Sequence, residues 1–369
     1  MKNEDGLYRR NGKLVYIKQP EYDELIFTEK LWASQETMQD IGGVYNFTKN
    51  KWDSFYKKMV YPTDGRNFYC LIYTIKDKPV GEVSFHGFDP ITKIARFNIK
   101  VHNKYRNNGY GKEAIKLMLE YYFFEVKGEI IMDNIKNESS KLFAEKLGFK
   151  GQNIYRNEVT YKLMKDQFLN APESKTKNVS IIMYDNMDIT NYTLMCDLFD
   201  KANEIANKDI FNIQAISVLS TVRYNNNFNL EITTLSENLL KPDIIILPNG
   251  NYIDNYVENK ETTNYILTYY NNCDYICAIG EAIKFLFRYK CLEGISVPNI
   301  DNIQELIKEN NLENTKVINK NFVDNGKVMI SCNLLGVIEM GLSIIFKLAG
   351  KELVDKVAEK IGFSTYYKS

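Results

Sequence analysis

The chain has 369 residues, 44% of them hydrophobic and 25% charged, and Lys plus Arg equals Asp plus Glu at 47 each. That length exceeds one ordinary core and predicts two domains, and the composition excludes a disordered chain. The neutral balance argues against a general nucleic-acid binder, which carries a basic excess.

No apolar run reaches membrane-spanning length, and the polar start over residues 1–12 is no secretory signal. A cytoplasmic protein without a membrane partner is therefore expected. The six cysteines (Cys70, Cys196, Cys273, Cys277, Cys291 and Cys332) are scattered and sit mostly in apolar runs, which reads as reduced, buried thiols. His86 and His102 are the two histidines, and Cys273 and Cys277 lack zinc-site spacing, so no structural metal is expected. The abundance of Asn, Lys, Ile and Tyr suits an AT-rich bacterial genome.

In chain order, two helical stretches precede strands over residues 68–75, 79–85 and 95–101. The turn signals Lys76-Asp77-Lys78-Pro79 and Asp89-Pro90 between them predict antiparallel pairing. Next comes Val101-His102-Asn103-Lys104-Tyr105-Arg106-Asn107-Asn108-Gly109-Tyr110-Gly111-Lys112, opening a helical run over 112–124. A strand that breaks into a two-glycine loop and then a helix makes an anion site. The glycines admit close backbone approach, N–H groups converge, the helix dipole adds partial positive charge, and Arg106 and Lys112 add full charges. Such a loop suits the phosphates of a nucleotide-bearing cofactor. A strand, a helix and a strand follow. Residues 165–177 (KDQFLNAPESKTK) then carry Pro172, small polar residues and charges without an apolar period, and read as a linker. This predicts domains over 1–168 and 178–369, joined by 169–177. In the second half, strands over 179–184, 213–218, 243–247 and 275–278 alternate with helices over 191–206, 252–270 and 335–349. That alternation predicts a mainly parallel sheet covered on both faces.

Three motifs in the first half fall in one order: Arg106-x-x-Gly109-x-Gly111 after a strand, Asn137-x-x-Ser140, and Lys146-Leu147-Gly148-Phe149. Together they resemble the GNAT acetyltransferase superfamily, in its RimJ/RimL-type branch, over roughly residues 6–164. Trp32-Ala-Ser-Gln-Glu36-Thr-Met38 and Gly42-Gly43 fit the same branch. The resemblance implies an α+β fold with a mixed, mostly antiparallel sheet. It implies acetyl-CoA as cosubstrate and an amine acceptor, either a small molecule or a protein N-terminus. Arg106, Asn107, Asn108, Gly109, Tyr110, Gly111 and Lys112 would bind the pyrophosphate through main-chain N–H groups. The strand edge at Ile99, Lys100 and Val101 would pair with the pantetheine arm, and Asn137 and Ser140 would contact the pantetheine or its phosphate side.

Direct attack of an amine on a thioester needs a deprotonated amine, a donor for the developing oxyanion and a proton for the leaving thiolate. Glu82, Ser84 and His86 alternate with Val83 and Phe85 and so share one strand face, while Arg96, Asn98 and Lys100 share a face of the next strand. Glu82, His86 and Asn98 are the catalytic candidates, with His86 or a raised Glu82 as base. The plainer alternative is that His86 bonds a loop and Glu82 pairs with a lysine. Many family members place a tyrosine acid where this chain has Ala144.

The second half resembles the ThiJ/PfpI family of the class I glutamine amidotransferase-like superfamily. The matching pieces are Val179-Ser-Ile-Ile-Met-Tyr184-Asp185, Asp243-Ile-Ile-Ile-Leu-Pro248-Asn-Gly250, Ile276-Cys-Ala278-Ile-Gly280, Leu292-Glu-Gly294 and Asp324-Asn-Gly326-Lys-Val328-Met-Ile-Ser331. The resemblance implies a flavodoxin-like α/β sandwich and, by resemblance only, a homodimer. The family's Cys-x-Gly turn falls on Ala278-Ile279-Gly280, and Cys277 stands one residue early, on the opposite strand face. No histidine follows His102, so no Cys–His pair can form in this half. Thr190-Asn191 replaces the usual Leu-Asp, and Asp188 and Glu281 read as helix-start residues. The whole reads as an acetyl-CoA-dependent N-acetyltransferase with a C-terminal ligand-binding or assembly domain. The alternatives are a non-catalytic sensor of acyl-CoA and metabolites, or a hydrolase-like activity at Cys277.

Overall fold

The computed structural model describes residues 7–39, 42–135, 138–155, 158–169, 175–225, 228–235, 239–251, 253–287, 291–312 and 314–363. The chain divides into two compact units, Met1–Phe168 and Leu169–Ser369.

The first unit is built on an eight-stranded sheet. Its strands are β1 (Arg9–Asn11), β2 (Val15–Lys18), β3 (Phe68–Thr74), β4 (Pro79–Asp89), β5 (Ile94–Val101), β6 (Ile130–Ile135), β7 (Lys150–Tyr155) and β8 (Glu158–Met164), in the order β1-β2-β3-β4-β5-β6-β8-β7. Every neighbouring pair is antiparallel except β5 and β6. The aromatic and β-branched run of β3 suits a strand at the centre of such a sheet. The helices are α1 (Leu25–Ala33), α2 (Gln35–Met38), α3 (Trp52–Met59), α4 (Tyr110–Glu120), α5 (Glu138–Lys146) and α6 (Lys165–Leu169).

Helix α4 buries Ala114, Ile115 and Met118 with Val83, Phe85 and Phe97 in one core. The spacing of these residues makes one apolar helix face, and alternation makes the matching sheet face. The other sheet face is covered by aromatic side chains from α1 and α3, which pack beside Tyr69, Leu71 and Tyr73. Two features differ from the sequence expectation. In the sequence, residues 1–12 read only as a polar start and no strand is expected before the helical stretches, yet Arg9–Asn11 and Val15–Lys18 form the β1–β2 hairpin. Residues 165–169, read as linker, instead make α6.

In the second unit a seven-stranded sheet runs in the order Thr233–Thr234, Phe211–Ser217, Lys177–Ile182, Ile244–Leu247, Tyr275–Ile279, Val328–Ser331, Phe322–Asp324. All neighbours are parallel except the last pair. Ile244–Leu247 and Tyr275–Ile279 are buried throughout, as strands covered on both faces must be. The helices Ile189–Ala206, Leu334–Ala349 and Lys351–Lys360 pack together on one side. The helix expected over 252–270 is two helices, Ile253–Val257 and Lys260–Tyr270. The break falls where the Asn259 side chain accepts from the Thr262 amide and caps the second helix. No helix among the described residues is long and apolar enough to cross a membrane.

Candidate active site

The parallel strands β5 and β6 pair only over Ile94–Arg96 and Ile130–Met132, although β5 runs to Val101 and β6 to Ile135. Beyond Arg96 the two strands part. Among the described residues, the main chain of residues 97–101 has no strand partner on that side, which leaves an open strand edge at the middle of the sheet. Ile99, Lys100 and Val101 stand along it.

The end of β5 leads into the loop before α4. Asn107 and Gly109 both have left-handed backbone conformations, φ 65° and 80°, and Gly109 is the residue before the first helical position. A side chain at 109 would be strained, and its Cβ would come 3.1 Å from Leu14 Cδ1. Gly111 sits against the strand: a Cβ there would lie 3.3 Å from Val101 Cγ2. Asn107, Asn108, Gly109 and Lys112 are exposed, and Tyr110 and Gly111 partly so. The first-turn amides of α4, at Tyr110, Gly111 and Lys112, have no acceptor within the helix. Arg106 plays a different part from the one its charge suggests. Its guanidinium donates to the carbonyls of Val101 at 3.2 Å and Thr37 at 2.7 Å, so it ties the loop to the strand end and to α2. The Asn108 amide group donates to the carbonyls of Tyr105 and Arg106 and braces the same turn.

A second support comes from far away in sequence. The Glu113 carboxylate, in the first turn of α4, accepts from the amides of Lys13 (2.9 Å), Leu14 (2.6 Å) and Val15 (2.8 Å) in the β1–β2 turn. Sequence reading missed this clamp, since nothing local marks Glu113 apart from other helix-start acids. Of the other expected ligands, Ser140 lies partly exposed in α5. Asn137 lies outside the described residues.

On the sheet face away from α4, the β4–β5 register sets three polar pairs in a row: Glu82 opposite Lys100, Ser84 opposite Asn98, and His86 opposite Arg96. The first pair is closed. Glu82 is 2% exposed and Lys100 7%. Lys100 Nζ donates to Glu82 Oε1 at 2.6 Å, while Trp32 Nε1 (2.8 Å) and the Tyr69 hydroxyl (2.6 Å) donate to Oε2. Burial, then the Glu82 charge, hold the Tyr69 phenol well above its ordinary value, so it stays protonated and donates. Thr28 in turn donates to Tyr69 at 2.8 Å. A buried ion pair with every oxygen engaged is held by geometry rather than by net Coulomb gain, because both ions lose their hydration.

The other two pairs are less engaged, with Ser84 buried, Asn98 and His86 partly buried and Arg96 exposed. Asn98 Oδ1 accepts from Lys100 Nζ at 3.3 Å, and among the described residues the Ser84 hydroxyl and the His86 ring make no hydrogen bond. His86 is half-buried. Burial, then the charges of Arg96, Lys58 and Lys100, push its pKa below the ordinary 6.5, so the ring is neutral at neutral pH. Among Glu82, His86 and Asn98, the described residues therefore leave the His86 ring unbonded and Asn98 with one contact, while Glu82 is buried with both oxygens engaged.

The strand-to-helix turn of the second unit falls at Gly280 rather than at Ala278. The strand continues through Ile279, which pairs with Ser331, and the chain turns at Gly280 with φ 56°. A left-handed turn residue favours glycine, which explains the shift. A Cβ at Gly280 would come 2.7 Å from the Asn249 side chain, whose Oδ1 accepts from the Glu281 amide at 3.0 Å. The turn thus presents no nucleophile, and Asn249 fills the space beside it. Cys277 is fully buried in the strand, and burial, then Cys273 and Asp324, raise its thiol pKa. Asp188 caps its helix through Thr190, and Glu281 pairs with Lys284 at 2.9 Å. A hollow of about 720 Å³ lies instead beside Thr176, Phe211 and Asn212, at the amino ends of two strands.

Residues 14–150 match the family described as Acetyltransferase (GNAT) domain, so the first unit carries a GNAT acetyltransferase domain. No curated protein matches the chain. Among solved structures the chain is similar to a ThiJ/PfpI family protein from Pseudomonas syringae, with 11% identity and a TM-score of 0.45 over 52% of this chain and 77% of that one. It is similar to an AraC family transcriptional regulator from Pseudomonas putida, with 18% identity and a TM-score of 0.43 over 50% and 99%. It is also similar to a GNAT-family acetyltransferase from Bacillus anthracis, with 21% identity and a TM-score of 0.36 over 42% and 98%.

Proposed function

We propose that the first unit transfers an acetyl group from acetyl-CoA to an amine. The observation that carries this reading is the parting of β5 and β6 beside a glycine loop, within a GNAT domain. The open edge at Ile99, Lys100 and Val101 offers main-chain groups to the amide-containing pantetheine arm, as an added strand would find them. The exposed turn of Asn107, Asn108, Gly109, Tyr110, Gly111 and Lys112 offers N–H groups and one cation to the diphosphate, with Arg106 holding the turn in shape. Asn137 and Ser140 complete the cofactor contacts.

In the reaction the amine nitrogen attacks the thioester carbon, a C–N bond forms, the C–S bond breaks, and the thiolate takes up a proton. His86, held neutral, accepts the proton lost by the amine, and Asn98 and Ser84 orient the reacting groups. Glu82 acts by holding Lys100, Trp32 and Tyr69 in place. Much of the rate then comes from placing two substrates in line. The second unit, with glycine at its turn, serves binding or assembly rather than hydrolysis.

Gly109→Glu tests the cofactor placement, because it puts bulk and negative charge where phosphates would lie. The variant is expected to keep its fold by circular dichroism and to lose coenzyme A binding by calorimetry. Unchanged affinity in a folded variant would overturn the placement.

A further inference from the structure

Three polar pairs line the face of β4 and β5 that looks away from α4, and their charges are not evenly answered. At one end Lys100 is neutralised by Glu82. At the other, Arg96 stands exposed opposite His86 and, among the described residues, has no carboxylate partner. Lys58, exposed in the last turn of α3, also lacks a partner among the described residues, and its charge is among those that lower the His86 pKa, after burial and Arg96. Between the two ends, Ser84 and Asn98 form an uncharged polar step. This face is therefore neutral next to Glu82 and Lys100 and positive next to His86.

We propose that the acceptor is an amine that also carries a carboxylate, with Arg96 and Lys58 holding the carboxylate while the amine lies beside Ser84, Asn98 and His86. The proposal rests on the acetyl-transfer reading and adds the acceptor's chemical class. The Ser84–Asn98 pair and the His86–Arg96 pair stand two residues apart along the strands, about 7 Å, which sets the upper limit of the span between amine and carboxylate. A guanidinium matches a carboxylate in a two-point contact. A diamine or polyamine, by contrast, brings a second positive charge to Arg96 and Lys58 and is repelled. The same cations act on the reacting nitrogen: a positive surround disfavours the ammonium form and raises the share of free amine, the form that attacks.

The test uses the full chain and acetyl-CoA with glycine, β-alanine and 4-aminobutyrate, their carboxamides, and putrescine, with product mass as readout. The best carboxylate is expected to exceed its own amide about tenfold in kcat/KM, the size of one charge-assisted contact. That ratio is expected to fall towards one in Arg96→Gln and in Lys58→Gln, and to invert in Arg96→Glu. Transfer to amides or putrescine as good as to the carboxylates overturns the proposal and leaves acetyl transfer standing. The second arm measures binding of the N-acetylated acids and their amides to the protein with coenzyme A by calorimetry. If no amine is acetylated but an N-acetylated acid binds about tenfold more tightly than its amide, and Arg96→Glu removes the difference, the carboxylate site stands and acetyl transfer falls. No transfer together with no preference in binding overturns both.

Discussion

Glu82 and His86 stand four residues apart on β4, about 13 Å along the strand, and their surroundings divide them. Alternation in the sequence sets both on one face. It cannot show that Trp32, 50 residues away, and Tyr69, 13 residues away, both donate to Glu82 Oε2 while Lys100 donates to Oε1. Nor can it show that no such partner reaches His86 among the described residues. The pKa of His86 is lowered by burial and then by Arg96, Lys58 and Lys100, so its neutral form persists below the ordinary 6.5. A base must be neutral to accept a proton, so activity should be full above 6.5 and fall only in a more acid range. A pH profile of kcat/KM should show its acid midpoint below 6.5, and His86→Gln should remove that limb. A midpoint at or above 6.5, or a profile unchanged in the variant, would exclude His86 as the base.

The glycine loop depends on elements that its own motif does not contain. Helix α4 is tied to the N-terminal hairpin at both ends. Glu113 accepts from three amides of the β1–β2 turn, and buried Arg10 of β1 donates to Glu120 at 2.7 Å. The glycines and the helix start were legible locally, because φ preference and apolar period are local properties. The hairpin was not, because its two arginines and its glycine hide the strand pattern until Glu120 and Glu113 answer them. Past Glu120 the helix widens into a π-helical turn over Tyr121–Glu125, a deviation that a regular apolar period does not announce. Glu113→Ala leaves three amides without their acceptor. It should lower stability by about 1–3 kcal/mol in denaturant unfolding and weaken coenzyme A binding, with partial recovery in Glu113→Gln. Unchanged stability would show that the clamp does not hold the helix start.

At the scale of the whole molecule, the residues of the candidate site and the cores beneath it all lie before residue 169. A fragment of residues 1–168 is expected to bind coenzyme A with an affinity within about twofold of the full chain, as a domain with its own core should. Loss of binding in a folded fragment would show that the second unit takes part in the site.

The sequence by itself determined the antiparallel pairing of the strands between residues 68 and 101, a mainly parallel second sheet, and a glycine loop between strand and helix, while the mixed, mostly antiparallel character of the whole first sheet was implied by the family resemblance. The first three follow from alternation, helical period and the conformations that glycine allows, all of which act within a few residues. Only the tertiary structure decided that Arg106 braces the loop, that Glu82 has both oxygens engaged while the His86 ring is unbonded among the described residues, and that the second unit turns at Gly280 beside Asn249. Each of those outcomes depends on strand order and register, which bring together side chains tens of residues apart, and no local pattern carries that information.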